Sequence, residues 1–232
     1  MFHSHLIRSH RHKRAFILLF ALALVLALVV VAPASDAAVP TCDGKNITIW
    51  GTPGHDTIYG TAADDVIWGD TGSDIIYGYA GNDTICGGDN GDHIFGGIGD
   101  DRIFGGSGQD TLKGGDGNDV IHGDEEIDGI YGNAGDDQLW GDGGPDFIWG
   151  HGGNDAVYGG IGDDTLYGNM EDDLVRGGSG VDQIYGGDGA DTLEGGSGWD
   201  RVWGECGDDF IVGGAGPDSL FGQNGNDTIN GG

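Results

Sequence analysis

The sequence predicts an all-β chain wound into a parallel β-roll, a two-sheet β-helix or solenoid of about ten 18-residue coils. Three observations carry this expectation. From Gly51 the chain divides into blocks of nine residues without insertion or deletion; the twentieth ends at Asn230, and Gly231 and Gly232 open another. Glycine holds the first position and aspartate the sixth in all twenty blocks. The eighth position is Ile, Leu or Val throughout, from Ile58 to Ile229. A fixed period of this kind marks a repeat architecture, in which each unit buries its apolar side chain only by stacking on its neighbours.

Residues 1–37 come first and are not part of the repeat. Arg8, Arg11, Lys13 and Arg14 make a basic start, an unbroken apolar run follows from Ala15 to Ala32, and small residues (Ala34, Ser35, Ala37, Ala38) come after Pro33. This pattern predicts a secretory signal peptide cut after Ala34 or Ala37, and hence an extracellular protein with no membrane association after cleavage. The run of 18 apolar residues is also long enough for a retained membrane anchor, which is the alternative. Cleavage after Ala37 would shift the formal net charge from -30 to -33.

That acidic balance, with 39 Asp and Glu against 9 Lys and Arg, excludes nucleic acid as a partner, because its phosphates would be repelled. The 52 glycines follow no three-residue period and the prolines number only 5, so a collagen is excluded too. What composition leaves open is a chain that is either disordered or neutralised by cations. The strict periodicity favours the second.

Residues 38–50 are expected to cap the roll. Asn46-Ile47-Thr48-Ile49-Trp50 alternates polar and apolar side chains, which suggests one extra strand over the first coil. The Asn-Ile-Thr triplet also fits a glycosylation acceptor, a pattern too short and common to carry weight.

Residues 51–232 form the roll itself. Glycines at positions 1 and 4 read as turn residues that let the backbone adopt positive φ. Position 4 departs from glycine only at Ala63, Asn90, Glu126 and Glu171. The aliphatic at position 8, between two variable residues, reads as a three-residue strand with one side chain pointing inward. Turn and strand alternate every nine residues, so one coil takes eighteen. Strands of odd blocks then stack in one sheet and those of even blocks in the other, about 4.8 Å per layer, around a narrow aliphatic core.

Blocks such as Gly96-Gly97-Ile98-Gly99-Asp100-Asp101-Arg102-Ile103-Phe104 and Gly186-Gly187-Asp188-Gly189-Ala190-Asp191-Thr192-Leu193-Glu194 resemble the RTX, or haemolysin-type, calcium-binding nonapeptide repeat over residues 51–232. The resemblance implies Ca2+ ions held between successive turns by repeat carboxylates and turn carbonyls. Carried over residue by residue, the ligands are Asp56, Asp65, Asp74, Asp83, Asp92, Asp101, Asp110, Asp119, Asp128, Asp137, Asp146, Asp155, Asp164, Asp173, Asp182, Asp191, Asp200, Asp209, Asp218 and Asp227. Ten turns on each edge leave nine gaps, so two edges allow at most about 18 ions. The chain departs from toxin members in its apparent N-terminal export signal and in showing no catalytic or pore-forming domain.

Elementary electrostatics makes the ion necessary. Stacked carboxylates about 4.8 Å apart repel by roughly 1 kcal/mol per pair even in water. A single column of aliphatics is a thin core to set against that. Calcium, which binds hard oxygen ligands, reverses the sign of the edge interaction. Folding is therefore expected to depend on calcium. Turns that carry Glu126 and Glu171, around Asp128 and Asp173, are expected to bind most weakly, with Asn90 and Ala63 as milder exceptions. No twelve-residue EF-hand loop is present.

Position 9 should face outward. In odd blocks it holds Tyr59, Tyr77, Phe95, Lys113, Tyr131, Trp149, Tyr167, Tyr185, Trp203 and Phe221, whereas even blocks have only Trp68, Phe104, Trp140 and Tyr158 as aromatics there. Stacked aromatics stabilise neighbouring strands. A continuous apolar face is also a contact surface, so the alternative partners are another copy of the chain or a wall polymer. Flat threonine ranks of an ice-binding kind are absent from these positions.

Of the three cysteines, Cys86 and Cys206 lie seven coils apart, about 34 Å, beyond disulfide reach. Cys42–Cys86 is the one plausible bridge within the chain, leaving Cys206 free or paired between chains. The histidines outside the leader (His55, His93, His122, His151) are scattered, with no nucleophile–base pair and no zinc spacing. The reading is a secreted, non-enzymatic calcium-ion-binding repeat protein; the alternative is a cell-surface structural or adhesive module that uses the aromatic face.

Overall fold

The computed structural model describes residues 41–232. The expected signal peptide (residues 1–37) and the first residues of the expected cap (38–40) lie outside the described residues. No helix occurs among the described residues; the elements are β-strands throughout. The first two, β1 (Thr41–Cys42) and β2 (Lys45–Asn46), pair antiparallel across a turn at Asp43 and Gly44. A third, β3 (Ile49–Trp50), lays Ile49 against Ile67 and Trp50 against Trp68 at the start of the roll. The alternating segment 46–50 is thus divided between two short strands.

From β3 onward every strand lies parallel to the strand eighteen residues away. Leu112 faces Ile94 on one side and Ile130 on the other, and the same offset runs through the chain. One sheet has ten strands, from β4 (Thr57–Tyr59) to β22 (Ser219–Asn224), and carries position 9 of the odd blocks. The other has eleven, from β3 to β23 (Thr228–Asn230), and carries the even blocks. Facing position-8 side chains from Ile67 to Ile211 fill the space between them and are fully buried. Toward the ends the column opens, with Ile49 and Leu220 only partly covered and Ile229 exposed.

Most strands are six residues long rather than three, running from position 7 of one block to position 3 of the next, as in Arg102–Ser107. The reason lies in the first glycine. It is not left-handed, so the strand continues through it; it is a glycine because nothing larger fits. A Cβ on Gly96 would lie 2.7 Å from the carbonyl oxygen of Gly114 and 2.3 Å from Asp101 Oδ2. The left-handed positions are 2 and 4, as in Gly97 (φ 122°) and Gly99 (φ 130°). Position 2 was not anticipated, because it holds a glycine in only some blocks; Tyr79, His151 and Glu205 adopt the same sign of φ there.

A disulfide joins Cys42 to Cys86, with Cα atoms 5.9 Å apart, and Cys206 is free and exposed. Lys45 Nζ donates to Thr84 Oγ1 at 2.7 Å, and Arg102 Nε pairs with Asp43 Oδ2 at 2.8 Å. These bonds fasten the β1–β2 hairpin against the eleven-stranded sheet.

Candidate metal-binding edges

The turns stack along two edges of the roll, and the position-6 aspartates line both. Each enters the turn from the extended backbone just before the buried aliphatic at position 8. Alternation therefore sends both side chains inward. Asp83, Asp101 and Asp137 are each 1 % exposed, as buried as the neighbouring aliphatics in practical terms.

One carboxylate oxygen of each aspartate is used by the fold. The N–H of Asp83 donates to Asp101 Oδ1 at 2.8 Å, the N–H of Asp101 to Asp119 Oδ1 at 2.8 Å, and so on along both edges. The next residue continues the ladder, as Arg102 N–H donates to the carbonyl of Asp83 at 2.9 Å. The second oxygen has no partner. From Asp74 to Asp218, every position-6 Oδ2 is buried without a hydrogen bond. It is aimed at the bare Cα of the first glycine in its own block, where the glycine carbonyl of the next coil also converges, as Asp155 Oδ2 and Gly168 O do beside Gly150.

These carboxylates are held far from their ordinary acidity. Burial raises the Asp101 and Asp119 carboxyls to about 7, and those of Asp128, Asp137 and Asp173 to about 8. Neighbouring carboxylates push in the same direction, and the N–H bond from the preceding coil opposes them only partly. Among the described residues no side-chain cation forms an ion pair with these carboxylates. The ion pairs among the described residues are Arg102–Asp43, His122–Asp142 and Arg176–Glu194, none of which involves a position-6 aspartate. A buried oxygen-only cradle with uncompensated negative charge suits a hard cation such as calcium. No cluster of three His, Cys, Asp or Glu side chains forms among the described residues; each turn from Asp74 to Asp218 offers one free carboxylate oxygen together with main-chain carbonyls.

The twenty aspartates are not equivalent. Asp56 and Asp65, in the first coil, do not leave Oδ2 free: it accepts the N–H and the hydroxyl of Thr52 and Thr61, respectively. At the far end Asp218 and Asp227 are only partly buried. Three of the four exceptions at position 4 keep the backbone of the turn. Glu126 (φ 82°), Glu171 (φ 70°) and Asn90 (φ 74°) keep the left-handed turn, and Asp128 and Asp173 keep their orphaned oxygens. Glu171 Oε2 accepts the N–H of Gly153 at 3.1 Å. Ala63, by contrast, sits in a turn without positive φ.

Outside the aspartate column, the even-block edge carries a second ladder that sequence reasoning missed. At position 5, Asp64, Asn82, Asp100, Asn118, Asp136 and Asn154 alternate acid and amide, and each Oδ1 accepts the N–H of the counterpart one coil on, at 2.8–3.2 Å. The signal was visible only at period eighteen, since the odd blocks hold unrelated residues there, among them Ile127, Pro145, Val181 and Trp199.

The odd-block aromatics form one stack on the ten-stranded sheet. Tyr131–Trp149, Tyr167–Tyr185 and Tyr185–Trp203 have ring centres 4.6–4.7 Å apart and nearly parallel planes. Lys113 fills the gap, its Nζ 5.5 Å from the Phe95 ring and 5.2 Å from that of Tyr131. Tyr59 stacks on Tyr77 and Tyr77 on Phe95 at one end, and Trp203 on Phe221 at the other. A shorter stack, Phe104–His122–Trp140–Tyr158, lies on the other sheet, with His122 Nδ1 2.8 Å from Asp142 Oδ2. His55 engages the main chain of Ser73.

Among protein-family models, one described as RTX calcium-binding nonapeptide repeat (4 copies) matches residues 50–85, 59–94, 87–121, 95–130, 131–166, 149–184, 167–202, 176–210 and 203–232. No curated protein matches the chain.

Proposed function

The chain belongs to the RTX calcium-binding nonapeptide-repeat family, and from that premise we propose that it is a secreted, non-enzymatic protein whose roll folds when it meets calcium outside the cell. The observation that supports this is the row of buried Oδ2 atoms, each unpartnered and each facing a main-chain carbonyl of the next coil. Calcium would supply the positive charge those oxygens lack. The chain's own groups do the rest. Asp Oδ1 fixes the spacing of adjacent coils through the N–H ladder, the first glycine leaves the cradle open, and positions 2 and 4 curl the backbone around it.

Removing the ion leaves carboxylates stacked in a desolvated column, which opposes winding. A millimolar calcium supply outside the cell falls within the range of extracellular calcium modules. Calcium titration followed by far-ultraviolet circular dichroism tests the reading. We expect little sheet in chelator and a cooperative gain on adding calcium; equal sheet content in both conditions would reject it.

The aromatic column supports a structural role in the same reading. Its rings meet face to face along the roll axis, so Trp149 and Tyr167, in the middle of the column, have both faces covered by neighbouring rings. A wall polymer stacking on sugar rings would need free faces. We assign this column to holding adjacent coils together.

A further inference from the structure

The first coil differs from every later one in how its turns close. In blocks three to nineteen the free aspartate oxygen points at the first glycine; in blocks one and two it does not, and the atoms nearest a Cβ on Gly51 or Gly60 are those of the next coil's glycine and, at Gly51, Ile58 Cδ1. The carboxylates have turned toward position 2. Thr52 donates to Asp56 Oδ2 through its N–H at 2.6 Å and its hydroxyl at 2.8 Å; Thr61 does the same to Asp65 at 2.7 and 2.8 Å. The Thr61 hydroxyl also accepts the N–H of Ala63 at 3.2 Å. The backbone follows suit. Thr52, Gly54, Thr61 and Ala63 lack the left-handed φ that positions 2 and 4 adopt from block three onward.

We propose that Thr52 and Thr61 stand in for a cation: their paired donors satisfy the carboxylate oxygen that an ion satisfies elsewhere, so the first coil closes without metal and ion loading begins at the third block. This rests on the calcium reading above. Two donors on one carboxylate oxygen give it charge-assisted hydrogen bonds in the place where an ion would otherwise coordinate it. The surrounding bonds point the same way. The hairpin that precedes this coil is held by the Cys42–Cys86 disulfide and by the Lys45–Thr84 and Asp43–Arg102 contacts, none of which needs an ion. Terminal units of solenoids are characteristically atypical, because they lack a neighbour on one side. Here that end is the one that needs no ion to hold its turns.

The test is a count of calcium bound by the full chain at equilibrium with buffered calcium, with sheet content checked by circular dichroism. Asp56→Asn together with Asp65→Asn should bind as many ions as the parent, while Asp101→Asn together with Asp128→Asn should bind fewer. Thr52→Gly together with Thr61→Gly, which removes both donors and gives position 2 the residue it has in blocks such as Gly96–Phe104, should add an ion at each turn. Thr52→Ser with Thr61→Ser, which keeps both hydroxyls, should leave the count at the parental value. Loss of ions from the Asp56/Asp65 variant, or no gain in the glycine variant, overturns the proposal. A parent that binds no calcium would instead bring down the functional reading on which it rests.

Discussion

Asp137 shows what a single residue undergoes in this fold. Its carboxyl is buried, one oxygen is fixed by the Asp119 N–H, and burial with flanking carboxylates raises it to about 8. The unfolded value is near 3.8, so the folded state holds more protons between those limits. Metal-free roll stability must therefore fall as pH rises from about 4 through about 8, and the penalty is complete above the folded value. In chelator, acidification from pH 8 to pH 5 should increase sheet content, read by circular dichroism. Protons should also compete with calcium, so that the calcium midpoint rises as pH falls and binding near pH 7 releases protons into a weak buffer. Gly96 makes a second prediction at this scale. Gly96→Ala places a methyl group in the cradle between Asp101 Oδ2 and Gly114 O, and should raise the calcium midpoint and cost about 1–3 kcal/mol by overpacking. The sequence made this glycine invariant but not its purpose: a glycine kept for space and one kept for left-handed φ look alike until a neighbour's carbonyl is located.

At the scale of elements, the strands and their order were legible because the nine-residue phase never slips, which fixes every partner at eighteen residues. Their length was not, since glycines that read as turn residues instead extend each strand across the bare Cα. The aromatic column was legible as a column, and its geometry then favoured stacking. His122 escaped notice in the shorter stack because it is a histidine among larger rings, although it lies 4.6 Å from Trp140 with its plane almost parallel. Replacing Trp149 and Tyr167 with Ser removes the contacts of Tyr131–Trp149, Trp149–Tyr167 and Tyr167–Tyr185. At about 0.5–1.5 kcal/mol for each of these aromatic pairs, calcium-loaded stability should drop by roughly 1.5–4.5 kcal/mol in thermal unfolding. Analytical ultracentrifugation should show the oligomeric state unchanged.

For the whole molecule, ions and covalent bonds act on different parts. The Cys42–Cys86 bridge, 44 residues apart in sequence, restricts the unfolded chain by up to about 4 kcal/mol on chain-entropy grounds. Reduction and alkylation should therefore shift the calcium-folding curve to higher calcium without lowering the number of ions bound at saturation, as measured by titration of both forms. Coil spacing excluded Cys86–Cys206 and left Cys42–Cys86 as the plausible bridge, which the structure shows closed. The special closure of the first coil was not legible, because Thr52 and Thr61 occupy a position that varies freely along the chain and only their hydrogen bonds set them apart.

The uniform offset of eighteen has a practical meaning. Because each strand hydrogen-bonds only to the strands one full winding before and after it, the chain is a measuring rod with interchangeable segments. Excising residues 96–113 would join Phe95 to Gly114 in the original phase, take one layer of about 4.8 Å from the rod, and seat Phe95 directly on Tyr131 with the intervening Lys113 gone. Length can thus be edited by whole windings, here with the loss of the Arg102–Asp43 pair at the hairpin.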